Sequence, residues 1–305
     1  MLVYRDDASP WEKALYAFLS EKHKRSGSLR TVQGYSGMLT HFFGSLGKPP
    51  DRVISSEVFT WAHSPGLSGK APSSTTVGAR IACLSSFYRF LIRMDLVHTN
   101  PCDRLERPKA RESTPRGLTG EDVKQLLAVV PETKAGLRDR AIILTLVFTG
   151  RRRTEVLSLK AGDLDREGGT VFYRYCGKGG KTGRRELPRP AVEAIERMLG
   201  AWGRRFEDLT PEAPLWPSHS GTKGLTSGTF YGNLRKYLRA AGLPLSGVHV
   251  FRHTAAKLRR DAGESVEEVS RFLDHSNLGV TTVYLRRLEG QQDRSWDKVA
   301  AAIGL

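Results

Sequence analysis

Apolar residues in the first hundred positions recur at three- and four-residue intervals, the period of a helix with one buried face. Trp11, Leu15, Phe18 and Leu19 form the first stripe, behind Ser9-Pro10-Trp11-Glu12, a capping box with proline at the first helical position. Val32, Tyr35, Leu39, Phe42 and Phe43 form a second. A shorter helix near Ser55 carries Val58, Phe59 and Trp61, and a fourth from about Ser74 carries Val77, Ile81, Leu84, Tyr88 and Leu91. Such stripes face a core by default, so they predict a four-helix unit ending near Asn100-Pro101 and carry no chemistry of their own.

Periodicity stops between Arg104 and Gly117, which holds two prolines and no apolar repeat. It resumes at Leu118-Thr119, where Thr119 can cap a helix bearing Val123, Leu126, Leu127 and Val130. A buried helix over Arg138 to Phe148 stops at Gly150. After one more helix, Thr170 to Tyr175 has strand character, Gly177 to Gly180 is a turn, and Arg184 to Leu187 is the returning strand before Pro188. From Ala191 onward the pattern is helical again, through Phe230 to Leu238, Val248 to Ala262 and Val266 to Leu273. No internal repeat is visible. The expected organisation is a helical domain over 1–103, a linker over 104–117 and a larger domain over 118–305. The fold class is mainly α with a small β-hairpin or sheet, α+β.

Charge changes this picture more than composition does. The net charge is +16 and the pI about 10.0, a surplus that does nothing for folding but neutralises phosphates and releases their counterions. Nucleic acid is therefore the expected partner, ahead of a ribosomal or merely solubilising surface or an anionic membrane. The 104–117 linker is then either a solvated tether or a basic strap across a DNA backbone. Cys83, Cys102 and Cys176 are too scattered for a zinc knuckle or a disulfide framework, which fits a reducing compartment, and no metal or cofactor is expected. The first residues show no signal peptide, and the apolar run from Ala141 to Phe148 is too short to span a bilayer. A cytoplasmic location follows.

Five local signals carry chemistry. Arg152 follows a helix break in Thr149-Gly150-Arg151-Arg152, with Glu155 one turn on to hold it. Lys178 stands at a hairpin tip between Gly177 and Gly179. His249 and Arg252 are three apart on a helix, so both project from one side. His275 follows a helix end in Leu273-Asp274-His275, and Tyr284 lies nine residues further on. Each is weak alone, but together they form a kit for phosphoryl transfer. Guanidinium groups clamp the non-bridging oxygens where charge develops. Tyrosine, with a pKa of about 10, needs a base to become a nucleophile, and histidine suits that. A deoxyribose alkoxide leaves only when protonated, and a lysine among cations can supply the proton. No carboxylate cluster suited to two metal ions accompanies these residues.

The order Arg152, Glu155, Lys178, His249-x-x-Arg252, His275, Tyr284 resembles the catalytic half of the tyrosine recombinases, especially Xer-type and phage-integrase-like members. The resemblance extends over nearly the whole chain, with the first unit similar to their SAM-like core-binding domain. It implies that Arg152 and Arg252 bind the scissile phosphate and that Lys178 is the general acid for the 5′ oxygen. His249 accepts the proton of Tyr284, His275 bonds the phosphate or supports the nucleophile, and Glu155 supports the arrangement. Tyr284 forms a 3′-phosphotyrosine that a 5′ hydroxyl resolves, with no metal or ATP, and no Walker A motif is present.

Two positions depart from the family. Asp274 replaces a glycine, adding negative charge that would lower or reshape activity at His275. Arg151 replaces an apolar residue and makes a run of three arginines, so the choice of Arg152 rests on the match. Lys181 is the substitute acid. A type IB topoisomerase-like monomer and a DNA-binding accessory protein with weak or lost catalysis are the competing readings. Beyond Tyr284, Ser295 can cap a short helix with Trp296, Val299, Ala300 and Ile303 on one face. That face docks either on its own domain or, as in the family, on a neighbouring protomer of a DNA-bound tetramer.

Overall fold

A computed structural model of the chain describes residues 9–66, 69–108, 117–177, 180, 182–219, 221 and 223–274. Lys178, Lys181, His275, Tyr284, most of the linker and the Ser295 to Ile303 segment lie outside the described residues. Contacts divide the chain into two compact units, 1–113 and 114–305.

The first unit is built from α1 (Pro10–Ser26), α2 (Leu29–Leu46), α3 (Ser55–His63) and α4 (Ser74–Arg93). Ser9 and Glu12 form the expected reciprocal cap, and Gly27, at φ +61°, ends α1 in the left-handed conformation that glycine adopts without strain. Phe18 sits at the middle of the core, edge-on to Phe87, Tyr35 and Phe90 at 5.2–5.5 Å between ring centres. Burying each such ring contributes roughly 1.5–3 kcal/mol, and α4 supplies the largest share of buried residues in this unit. One stripe residue departs from expectation. Phe59 is 52% exposed and lies against His63, one turn along α3, because α3 buries Val58, Trp61 and Ala62 instead. Cys83 and Cys102 are buried, their thiols pushed up to about 12 by burial, and all three cysteines are free.

The second unit begins with α5 (Gly120–Ala128), capped by Thr119 as expected, and α6 (Lys134–Thr149). Alpha6 is buried on nearly every side. It packs on α8 (Arg189–Ala201) and α10 (Val250–Asp261), and its Gly136 lies so close to Pro131 that a Cβ would fall 1.9 Å from the proline carbonyl oxygen. After α7 (Arg153–Leu157) come three antiparallel strands in the order β1 (Leu164–Glu167), β2 (Thr170–Cys176) and β3 (Thr182–Glu186). Tyr173 of β2 is paired with Leu164 and Arg185. The helices α9 (Ser227–Ala240) and α11 (Val266–Phe272) are the remaining α-helices among the described residues of this unit. The fold is α+β and mostly helical.

Three expectations need correction here. The returning strand runs over 182–186, not 184–187, because Tyr175 and Cys176 pair with Gly183 and Thr182. Strand β1 was not foreseen: Leu-Asp-Arg-Glu has no alternation of apolar residues, and its pairing to β2 defines it. Among its described residues the stretch between α8 and α9 holds no α-helix, only a 3-10 turn at Phe206–Asp208, and it delivers Trp216 to the core, fully buried with its indole N–H donating to the Val156 carbonyl at 2.6 Å. No helix among the described residues is long and apolar enough to cross a membrane.

Candidate active site

The arginine turn is set by Gly150, at φ +59°, which ends α6. A Cβ on Gly150 would meet the side chains of Phe272 and Leu273 at 2.7–2.8 Å, so the turn and the end of α11 are pressed together. Arg152 then stands at the cap position of α7. Its backbone N–H donates to Glu155 at 3.0 Å and its guanidinium donates to the same carboxylate at 2.9 Å. Glu155 is buried and Arg152 is about a third exposed, so the carboxylate anchors a guanidinium that still reaches outward.

Arg252, in the first turn of α10, is buried. It donates to the Gly150 carbonyl at 2.8 Å and to the Leu273 carbonyl at 2.6 Å. No described carboxylate pairs with it directly. Burial, then Arg152 and Arg151, push its pKa down to about 10, and Glu155 and Asp274 offset this only in part. A buried cation bordered by two other cations is costly unless an anion arrives.

His249 is the residue before α10 and not within it, although its backbone is already helical. Burial and then the charges of Arg252, Arg153 and Arg152 hold its pKa below the ordinary imidazole value, which favours the neutral form. Arg152, Glu155, His249 and Arg252 are thus brought into one charged neighbourhood.

Sequence reasoning missed the partners of Arg151 and Asp274. Arg151 is 1% exposed. It donates to the Asp274 carboxylate and to the Phe272 carbonyl and lies over the Tyr175 ring at 4.4 Å. Asp274 also accepts from the Tyr175 hydroxyl and from Arg185. Burial raises its pKa, but the bonds from Tyr175 and Arg151 win and hold the carboxyl below its usual value. The two departures from the family pattern are therefore joined to each other. Strand alternation puts Tyr173, Tyr175 and Arg185 on one face of the sheet, the one available sign of this cluster.

An anion-seeking group of arginines beside a histidine, held by helices and the three-stranded sheet of the second unit, suits a phosphate-bearing ligand. Solved structures share the fold. A lambda integrase (residues 75–356) dimer bound to a COC′ core site superposes with a TM-score of 0.70 at 16% identity, covering 92% of this chain and 97% of that one. The XerH site-specific recombinase bound to palindromic difH substrate gives 0.68 at 20% identity, covering 95% and 83%. At the sequence level, the chain is 30% identical to the tyrosine recombinase XerA of Pyrococcus furiosus over 72% of each chain. It is 30% identical to XerC of Shewanella amazonensis over 91% of each. The profile of the phage integrase family matches residues 116–290. The chain belongs to that family, the tyrosine recombinases.

Proposed function

We propose that this chain is a site-specific DNA recombinase that cuts and rejoins double-stranded DNA through a 3′-phosphotyrosine on Tyr284. The observation that carries the proposal is Arg252, a buried guanidinium with two carbonyl partners, cationic neighbours and no direct carboxylate partner among the described residues. A scissile phosphate supplies the missing anion.

The reaction follows from the groups available. Arg152 and Arg252 bond the non-bridging oxygens, more strongly as charge builds on them. His249, with its neutral form favoured, takes the proton from the Tyr284 hydroxyl as its oxygen bonds to phosphorus. The bond from phosphorus to the 5′ oxygen breaks, and Lys178 protonates the departing oxygen. His275 bonds the phosphate beside Tyr284. A 5′ hydroxyl from a partner strand then attacks, releasing the tyrosine and restoring a phosphodiester. One ester bond replaces another at each step, so no ATP and no metal are called for.

The relatives named as Xer recombinases and the DNA-bound integrase neighbours support DNA as the partner. A net charge of +16 supports it independently. Strand exchange joins four ends, which a tetramer on two duplexes accomplishes in the cytoplasm. The linker over 104–117 serves as the basic strap and the segment from Ser295 to Ile303 as the tie between protomers.

The test is recombination itself. Linear DNA carrying two copies of the target site should yield exchanged products with the wild-type chain and none with Tyr284→Phe, while DNA affinity stays nearly unchanged. Relaxation of supercoiled DNA at any sequence, with no exchanged product, would favour a monomeric topoisomerase-like enzyme instead.

A further inference from the structure

We infer that Asp274 and Arg151 together are a positioning device for Arg252, a role distinct from touching DNA. The geometry is specific. Arg252 is suspended between two carbonyl oxygens, of Gly150 and of Leu273, that belong to segments more than a hundred residues apart. Those same two segments are clipped together one residue further along each. Arg151 follows Gly150, Asp274 follows Leu273, and the guanidinium of Arg151 donates both to the Asp274 carboxylate and to the Phe272 carbonyl. The clip therefore fixes the separation of the two acceptors that aim Arg252.

Further features mark Asp274 as built into the site. It lies at φ +51°, in the left-handed region where a non-glycine residue is strained, and that strain persists because the surroundings over-determine it. Its two oxygens take bonds from three residues: Arg151 and Tyr175 on one, Arg185 on the other. Two of the donors come from the sheet, so β2 and β3 are tied to the clip as well. Arg151 is 1% exposed, and a charge so buried is retained only with a partner. The added negative charge is consequently absorbed by Arg151 and Arg185 and is not left facing the site.

The inference rests on the reading of Arg252 as a phosphate clamp, and the experiment separates the two. Single-turnover cleavage is measured on a suicide DNA with an ordinary scissile phosphate and on the same DNA with a methylphosphonate there. The methyl group replaces one non-bridging oxygen and removes the charge that a guanidinium neutralises, so loss of a correctly assigned clamp matters less on that substrate. Asp274→Asn should slow cleavage of the phosphate by about tenfold to a hundredfold, as a small misplacement of a catalytic group does. DNA affinity should change little, and the defect should shrink on the methylphosphonate in parallel with that of Arg252→Ala. Arg151→Met should behave alike. It removes the clip from the other side while leaving Asp274 with Tyr175 and Arg185, so a folded protein is expected even if Asp274→Asn unfolds.

An equal defect on both substrates for Asp274→Asn and Arg151→Met, with Arg252→Ala rescued, would overturn the positioning role and leave the clamp intact. An Arg252→Ala defect undiminished by the methylphosphonate would overturn the clamp and the inference with it.

Discussion

Two buried arginines in the same unit are treated in opposite ways. Arg138, near the start of α6, donates twice to Asp139, at 3.0 and 2.8 Å, and once to the Pro217 carbonyl. Asp139 is then saturated by Asn233 at 2.8 Å and Tyr237 at 2.9 Å. Every charge in that cluster is matched, and it ties α6 to α9 and to the loop around Pro217. Arg252 instead has two carbonyls and two neighbouring arginines. A protein folding for stability alone has no reason to assemble the second arrangement. Charge that is neutralised internally holds elements together, whereas charge left in surplus in a preorganised pocket is available to a ligand.

Removing one member from each cluster should expose the contrast. Asp139→Ala leaves Arg138 buried without its carboxylate and should cost about 3–5 kcal/mol of stability, read as a large fall in the midpoint of chemical unfolding. Cleavage measured well below that midpoint should be close to normal. Arg252→Ala should do the reverse. Single-turnover cleavage should fall by about two to three orders of magnitude, as on losing an oxyanion donor, with a much smaller change in unfolding, since no carboxylate is orphaned. A cleavage-competent but severely unstable Arg252→Ala protein would erase the distinction between the two clusters.

A smaller effect sharpens the electrostatics of the surplus. His249 must be neutral to accept a proton, so cleavage should fall as pH drops through its pKa, which lies below the ordinary 6.5. Arg153 contributes to that lowering and has no assigned contact with phosphate. Arg153→Gln should therefore raise the pKa of His249 and move the acid limb of the pH–rate profile upward, with the plateau little changed. A limb that stays in place, or moves down, would show that the arginines do not set the protonation of His249.

The sequence made the helices legible because their signals are local. Ser9 with Glu12 is a four-residue capping pattern, Thr119 caps the helix it directly precedes, and a stripe such as Phe18, Leu19 and Leu15 needs one turn of periodicity to be seen. Arg152 with Glu155 was legible for the same reason. What escaped was long-range. Arg138 and Asp139 open a helix that reads as buried, but the partners that match their charges, Asn233 and Tyr237 of α9, lie more than ninety positions away. Arg151 and Asp274 were each visible as departures from the family pattern, yet their pairing across 123 positions was not. Strand β1 was missed because two of its four residues are carboxylates and pairing, not side-chain alternation, defines it.

The central claim is that a tyrosine at position 284 becomes bonded to DNA. The most direct measurement traps the wild-type chain on a nicked suicide duplex, digests protein and DNA, and identifies the peptide that carries the nucleotide by mass spectrometry. The account predicts one modified peptide, ending at or after Tyr284, with the phosphate on the phenolic oxygen and esterified to a 3′ carbon. A nucleotide found on any other residue, or a 5′-linked phosphate on Tyr284, would contradict it.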